Sequence, residues 1–236
     1  MPKLSPSSYA LQLSAASTLT KPLRCNLPTL SHFNYIDYSN FYEPSDDTFL
    51  MCDALSLDMP SNSPKRILEL GSGSGCNIVH AACLCSPEIC FALDVNPLAV
   101  EATLKTWEAN EIEGVEFTVH RSDLLGEGTE AWWPSVDCVI FNPPYVPTPD
   151  EEVGGEGIEA SWAGGEDGRK VIDRALPDIW KLLKVGGVLY MIVVDDNKPL
   201  ELINKHSEEY GVEGSVLVRR QARNEFLSVL KMVKTR

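Results

Sequence analysis

The tetrapeptide Asn142-Pro143-Pro144-Tyr145 has the residue types that can hold a planar amine. It directly follows the apolar run 136–141, which is typical of a buried strand. Because proline has no backbone N–H, the turn offers carbonyl acceptors beside an amide side chain and an aromatic ring. Such a site suits the NH2 group of an amide or of a nucleobase. Asn and Pro also form ordinary turns, so the tetrapeptide alone leaves both interpretations open.

A glycine-rich loop follows another apolar segment. Residues 67–70 lead into Gly71, Gly73 and Gly75, and a helical pattern comes next. Glycines at such a turn permit positive φ and let a ligand approach the backbone. The spacing differs from the Gly-x-Gly-x-x-Gly dinucleotide pattern, and Glu69 would repel a pyrophosphate. Glu69 therefore favours a ligand that carries a cationic ammonium group.

Two further candidate strands end in acids. Asp94 follows an apolar strand and lies where an acid reaches ribose hydroxyls in nucleotide-binding sheets. Asp123 follows the strand 115–121, and its carboxylate suits an adenine amine. Each acid alone is equally compatible with a helix N-cap. Together with Glu69 and Asn142, the series predicts a nucleoside bound across the carboxyl ends of a parallel sheet.

The elements that must position these residues alternate between strand and helix. This alternation predicts an α/β fold with a doubly wound, mostly parallel seven-stranded sheet. The closing strands, 214–220 and 225–233, are predicted to pair antiparallel because the connection between them is short. The other predicted elements are a helix at 46–57, strands at 65–70 and 89–93, helices at 76–85 and 96–110, a helix at 168–184 stopped by Val185-Gly186-Gly187, a strand at 188–194 and a helix at 198–210.

Composition indicates one compact domain and excludes several classes of protein. The chain has 236 residues, of which 44% are hydrophobic, enough for a sizeable core. A net charge of −14 argues against tight binding of nucleic acid, which depends on Lys and Arg. The 7 cysteines form no Cys-x-x-Cys pair, so we expect reduced thiols and no metal site. No apolar run is long enough to span a membrane.

The first 36 residues differ from the rest of the chain. They contain Lys3, Lys21 and Arg24 among many Ser, Thr and Leu residues, with no acid before Asp37. We expect residues 1–36 to be a disordered extension and 37–236 a single domain. The alternative is an organelle transit peptide, which has a similar bias. With a disordered extension, we expect the protein in the cytoplasm, or in both the cytoplasm and the nucleus.

Several separated segments resemble one enzyme family. The loop 69–75, Asp94 and residues 142–145 resemble the class I S-adenosylmethionine-dependent methyltransferases, specifically the HemK-like glutamine methyltransferases. Residues 42–50, 157–165 and Gly168-Arg169 resemble the eukaryotic and archaeal branch of that family. The resemblance covers residues 41 to about 233. It implies S-adenosylmethionine as cofactor and the strand order 3-2-1-4-5-7-6.

The resemblance also suggests roles for particular residues. The catalytic group would be Asn142, Pro143 and Tyr145. The Asn142 side-chain oxygen and the Pro143 carbonyl would each accept one N–H of a substrate amide, and Tyr145 would stack on the amide plane. The cofactor would be bound by Thr48, Glu69, Gly71, Gly73, Gly75, Asp94, Asp123 and Asn142.

Substrate and partner are implied in the same way. Members of this branch modify the glutamine of a Gly-Gly-Gln sequence in the class 1 translation termination factor, and some methylate a histone lysine. They form complexes with a small zinc-binding activator, which we expect to pair with the third strand, 115–121, at the sheet edge. The acidic residues between 150 and 167 are interpreted either as steering a basic substrate or as a solvated loop.

Two other functions remain possible from the sequence. An adenine-N6 methyltransferase acting on DNA or RNA would use the same tetrapeptide, because the adenine amine offers the same two N–H groups. The charge of −14 counts against it. A non-catalytic scaffold with a decayed fold is disfavoured because the polar residues at the strand ends are all intact.

Overall fold

The computed structural model describes residues 3–16, 26–126, 135–222 and 225–236. In these residues one seven-stranded sheet has the order β3-β2-β1-β4-β5-β7-β6, as expected. The strands are β1 Arg66–Leu70, β2 Ile89–Asp94, β3 Glu116–Arg121, β4 Val136–Phe141, β5 Leu183–Val193, β6 Val212–Ala222 and β7 Glu225–Lys234. The helices of more than one turn are α1 Pro6–Ala16, α2 Asp46–Asn62, α3 Cys76–Cys85, α4 Pro97–Ala109, α5 Lys170–Leu182 and α6 Pro199–Tyr210.

The sheet is parallel except at one end. Strands β1 to β5 pair in parallel, while β7 is antiparallel to both β5 and β6. This confirms the predicted doubly wound sheet and the closing antiparallel pair. The parallel order reverses between β1 and β4, and the crevice beyond the carboxyl ends of such strands is where open α/β sheets bind ligands.

Each face of the sheet is covered by helices. Leu176 and Trp180 of α5 and Ile203 of α6 pack with one face, in a core that includes Leu68 and Met191. The opposite face packs against α2 and α3, through apolar side chains that include Leu50, Leu55 and Ile78. Because β1, β4 and most of β5 are buried from both sides, apolar residues dominate these strands without regular alternation; Glu69 of β1 and Asp137 of β4 are exceptions.

Helix α5 is shorter than the sequence pattern predicts, and β5 is longer. The helix ends at Leu182, and residues 185–187 lie inside β5 instead of stopping the helix. Gly186 has a φ of +84°, and the β4–β5 register shifts between Val136 and Cys138. The glycine pair therefore allows an irregularity within the strand rather than ending the helix; glycine in a left-handed conformation is common at both kinds of position.

The N-terminal extension contains a helix where disorder is the expectation. Helix α1 lies against β6, with Ala16 buried in the core. The Leu4 N–H donates to Asn204 Oδ1 at 2.8 Å, and Gln12 Oε1 accepts from the Val216 N–H at 3.1 Å. The prediction of disorder is therefore wrong for Pro6–Ala16, because tertiary contacts hold a segment of weak local pattern. Residues 1–2 and 17–25 of the extension lie outside the described residues.

Within the described residues, no helix has both the length and the apolar character needed to cross a membrane.

Candidate active site

A pocket opens at the carboxyl ends of the first four strands of the sheet. Its wall includes the glycine loop after β1 and polar side chains that follow β2, β3 and β4. Phe41 and Tyr42 lie on one side, and the loop 154–163 lies on another. The strand ends therefore do converge on one site, as the sequence predicts.

The glycine loop adjoins the turn after β4. Gly71 and Gly73 line the pocket with φ of +65° and +53°, a region that favours glycine. A Cβ on Gly71 would lie 3.8 Å from the Asn142 carbonyl oxygen. This contact confirms that the glycine bend and the 142–145 turn share one pocket.

Gly75 has a packing role and does not line the pocket. It precedes α3 with a φ of +79°, and a Cβ there would lie 2.9 Å from Thr103 Cα of α4. Backbone atoms of α4 cannot retreat from such a contact at low cost. Gly75 therefore allows α3 and α4 to approach, and its contact with the cofactor stays a prediction.

Glu69 lies beneath the loop rather than in the pocket wall. Its side chain is buried, and Oε2 accepts the Ile78 N–H at 3.0 Å. Burial raises the pKa of this carboxyl well above its usual range. In this position the carboxyl supports the first turn of α3, and its contact with a ligand ammonium group stays a prediction. Since both faces of β1 are buried, the sequence pattern could not show which way Glu69 points.

Asp94 stands in the pocket wall, held by the backbone. Its oxygens accept the Gly73 N–H at 2.8 Å and the Asn96 N–H at 2.9 Å. Burial raises the pKa of Asp94, and the hydrogen bonds oppose that rise by favouring the charged form. Each oxygen keeps acceptor capacity, so Asp94 fits the predicted ribose-binding role.

Asp123 also lines the pocket, but it has a partner that the sequence did not suggest. Arg174 of α5 donates to Asp123 Oδ2 at 2.9 Å and to Oδ1 at 2.6 Å. Arg174 itself lines the pocket. The next residue, Leu124, has a φ of +57°, an uncommon conformation for a non-glycine residue that often marks functional sites.

Asn142 presents an acceptor without a partner. Its Nδ2 donates to Asp47 Oδ2 at 3.0 Å, and its Oδ1 is buried with no hydrogen-bond partner among the described residues. Asn142 lines the pocket. Because a buried acceptor without a donor costs free energy, this oxygen is suited to an N–H group of a ligand.

Asp47 joins the aromatic residues around Asn142. Its side chain is buried, and Oδ2 accepts from the Tyr42 hydroxyl at 3.1 Å and the Tyr145 hydroxyl at 3.4 Å. Burial, followed by the nearby Asp47 carboxylate, raises the pKa of both tyrosines, so they stay protonated and donate. Sequence reasoning missed Asp47, although it precedes Thr48 in the family-like segment 42–50.

Of the remaining predicted residues, some line the pocket and others pack behind its wall. Thr48 lines the pocket, and its Oγ1 accepts the Ser45 N–H at 3.3 Å at the start of α2. Pro144 lines the pocket, whereas Pro143 is buried and Tyr145 packs against the core beside α2. The described residues contain no cluster of His, Cys, Asp and Glu that could hold a metal ion.

The fold and the site define a class of enzyme. A sheet of this order with a glycine loop after its first strand, an acid after the second and a ligand pocket at its reversal point is that of the Rossmann-like methyltransferases. In agreement, residues 50–156 match the family model "Methyltransferase small domain".

Relatives narrow the class to one family. The chain is 39% identical to human "Methyltransferase HEMK2", covering 88% of this chain and 96% of the relative. It is 34% identical to "eRF1 methyltransferase catalytic subunit mtq2" of Schizosaccharomyces pombe, covering 88% and 95%. The solved Mtq2–Trm112 complex of E. cuniculi matches with a TM-score of 0.59 and 30% identity, covering 83% of this chain and 99% of that one. The chain therefore belongs to the HEMK2/Mtq2 family of methyltransferases.

Proposed function

We propose that this protein transfers the methyl group of S-adenosylmethionine to the side-chain nitrogen of a glutamine. The glutamine is that of the Gly-Gly-Gln sequence in the class 1 translation termination factor. The observation that carries the proposal is that Asn142, whose buried Oδ1 has no partner among the described residues, lines the same pocket as the glycine loop. The substrate named for the fission yeast and E. cuniculi relatives supports the choice of termination factor.

The pocket fits the cofactor by the chemistry of its groups. Asp94 and Asp123 supply acceptors for ribose hydroxyls and for an adenine amine, and Gly71 and Gly73 let the ligand reach the backbone. When bound, the cofactor supplies a methyl group activated by the sulfonium. An acidic wall also suits the net positive charge of that ligand.

Asn142 aims and activates the substrate amide. An amide nitrogen is a poor nucleophile because its lone pair is delocalised, so catalysis depends on position. The Asn142 oxygen accepts one N–H, holding the nitrogen in place and stabilising positive charge as it develops. The Asp47 bond to Nδ2 sets which end of the Asn142 amide faces the substrate. The Pro143 carbonyl accepts the second N–H of the substrate amide in this proposal, and the Tyr145 ring stacks on the amide plane.

The outer edge of strand β3 is suited to binding a partner protein. It pairs only with β2 in the described structure, and Phe117, Thr118 and Val119 at its centre are half-buried. Trp107 of α4 stacks on Phe117 with ring centroids 3.9 Å apart, which stiffens this edge. We propose that a small zinc-binding activator adds a strand here. The solved relative is a complex with a second protein, Trm112, which supports the existence of a partner.

Acidic side chains favour a basic substrate, but part of the loop charge is neutralised within the chain. Asp150, Glu156 and Asp167 form ion pairs with Lys170, Arg121 and Lys198. Steering by the loop 150–167 is therefore weaker than its composition suggests. Closer to Tyr145, burial and then Asp47 and Asp196 raise the pKa of Glu225, which shows that several acids crowd together here.

Two alternative substrates, a histone lysine and an adenine base, would also suit this site. A histone lysine would bring its own positive charge to this acidic site, and an adenine amine would meet the same Asn142 acceptor. The charge of −14 argues against nucleic acid. We propose a cytoplasmic, or cytoplasmic and nuclear, location; import of a fluorescent fusion of residues 1–40 into an organelle would contradict it.

One assay separates these functions. The chain, in complex with its activator, is incubated with labelled S-adenosylmethionine and offered termination factor, histone or DNA separately. We expect label in the termination factor, and none when its Gly-Gly-Gln glutamine is replaced by alanine. Label in DNA instead would favour the adenine enzyme, and no label with any substrate would favour the scaffold.

A further inference from the structure

Arg174 is the one positively charged side chain among the described residues that line the pocket. It comes from α5, whereas the predicted ligand groups follow strands. Its guanidinium makes two parallel hydrogen bonds to Asp123, with Nη1 at 2.9 Å from Oδ2 and Nη2 at 2.6 Å from Oδ1. A bidentate pair of this kind fixes the plane of a carboxylate as well as its distance.

The ion pair between Arg174 and Asp123 contributes little to the stability of the fold. The side chains of Arg174 and Asp123 are 53% and 57% exposed. Exposed ion pairs contribute only about 0–1 kcal/mol to folding, so the fold does not depend on this one. A positive charge in a pocket for a cationic ligand is also unfavourable, unless a carboxylate neutralises it. The pairing with Asp123 meets that condition.

We propose that Arg174 is a positioning residue that holds Asp123 to accept a hydrogen bond from the 6-amino group of adenine. The inference rests on the proposed use of S-adenosylmethionine. By fixing Asp123, Arg174 makes the pocket bind a 6-aminopurine more tightly than a 6-oxopurine. The oxo group presents an acceptor where the fixed carboxylate needs a donor.

The hydrogen-bonding capacity of the carboxylate permits this arrangement. Each carboxylate oxygen can accept about two hydrogen bonds. The guanidinium fork uses one site on each oxygen of Asp123, which leaves one on each for a ligand amine. A lysine at position 174 would keep the charge but lose the fork, so it would no longer fix the carboxylate plane.

The test is a comparison of two ligands by isothermal titration calorimetry. S-adenosylhomocysteine and S-inosylhomocysteine differ at position 6 of the purine, with an amine in the first and an oxo group in the second. Binding of each is measured to the full chain in complex with its activator, as wild type, Arg174→Ala and Arg174→Lys. Lys181→Ala is the matched control, because it breaks another exposed ion pair of α5, with Asp178 at 2.7 Å.

We expect the wild type and Lys181→Ala to bind the 6-amino ligand about 5- to 150-fold more tightly than the 6-oxo ligand, since an unpaired polar group costs about 1–3 kcal/mol. In Arg174→Ala and Arg174→Lys the preference should fall severalfold, with unchanged thermal unfolding. If either Arg174 variant prefers the 6-amino ligand as strongly as the wild type does, the proposal is wrong. If the wild type binds neither ligand, the cofactor assignment fails, and this inference fails with it.

Discussion

At the scale of single residues, the central feature is the Asn142 amide held by Asp47. The hydrogen bond of 3.0 Å from Nδ2 leaves Oδ1 without a partner among the described residues, and we propose that it accepts the substrate amide. For Asn142→Ala we expect turnover to fall by about 10² or more, the scale of one lost positioned polar group. Binding of S-adenosylhomocysteine should stay within a few fold, because the remaining wall is intact. Unchanged turnover would remove the role of Asn142.

Asp47→Asn separates orientation from packing. The substitution keeps the size of the side chain but removes the charge and replaces one of the two acceptor oxygens with an NH2 donor, so Asn142, Tyr42 and Tyr145 can no longer all donate to one carboxylate. We expect kcat to fall about 10-fold or more, since the Asn142 amide loses its fixed orientation. Asp46→Asn, the same change at the exposed neighbouring position in the first turn of α2, is the control for helix stability and should retain kcat. Equal losses in the two variants would indicate a structural role only.

The sequence revealed the residues at strand ends better than their partners. Asn142 and Asp94 could be predicted, because each follows an apolar strand. Asp47 lies 95 positions from Asn142 and Arg174 lies 51 from Asp123, and no local pattern connects such pairs. Glu69 and Gly75 were placed in the pocket because the pattern gives position along a strand or loop, not the direction a group faces.

At the scale of elements, Gly75 controls the approach of two helices. We expect Gly75→Ala to lower the free energy of unfolding by about 2–4 kcal/mol, about 1 from left-handed strain and about 1–3 from the contact with Thr103. Gly114→Ala is the matched control, because its φ is +74° but no atom lies within 4 Å of the added Cβ. It should cost about 1 kcal/mol. Equal losses in urea titrations would contradict the packing role of Gly75.

The edge strand β3 gives a second prediction at this scale. Adding the activator protein should slow amide hydrogen exchange in Glu116–Arg121, because a new strand satisfies its outer backbone groups. Val212–Ala222, the opposite edge strand β6, is the internal control and should not change. A chain that is fully active and monodisperse without any partner would contradict the proposed pairing.

The elements themselves were predictable to different degrees. The alternation of strand and helix predicted a doubly wound sheet, but the strand order came only from the family resemblance. The end of α5 was misplaced because Gly186 serves a strand irregularity as readily as a helix stop. Helix α1 was missed because contacts with Asn204 and Val216, about 200 residues away, hold it in place.

For the whole molecule, His206 predicts how stability depends on pH. Trp180 Nε1 donates to His206 Nδ1 at 2.9 Å, and burial lowers the pKa of His206 to about 4. The unfolded chain therefore binds more protons between pH 6.5 and about 4, so stability should fall as pH falls through that window.

Comparison with His206→Gln at each pH isolates this effect. Buried carboxyls with a raised pKa, such as Glu69 and Asp94, act in the opposite direction in both proteins. The difference in the free energy of unfolding between wild type and variant should narrow as the buffer is taken from pH 7 to pH 5. A difference that does not depend on pH would show that His206 has the same pKa in the folded and unfolded states.

The most direct test of the account is to locate the transferred methyl group. The termination factor is treated with S-adenosylmethionine and the chain in complex with its activator, and the product is digested and sequenced by tandem mass spectrometry. The account predicts one methyl group on the side-chain nitrogen of the Gly-Gly-Gln glutamine, which Asn142→Ala fails to add. A methyl group at another residue, or full modification by Asn142→Ala, would contradict it.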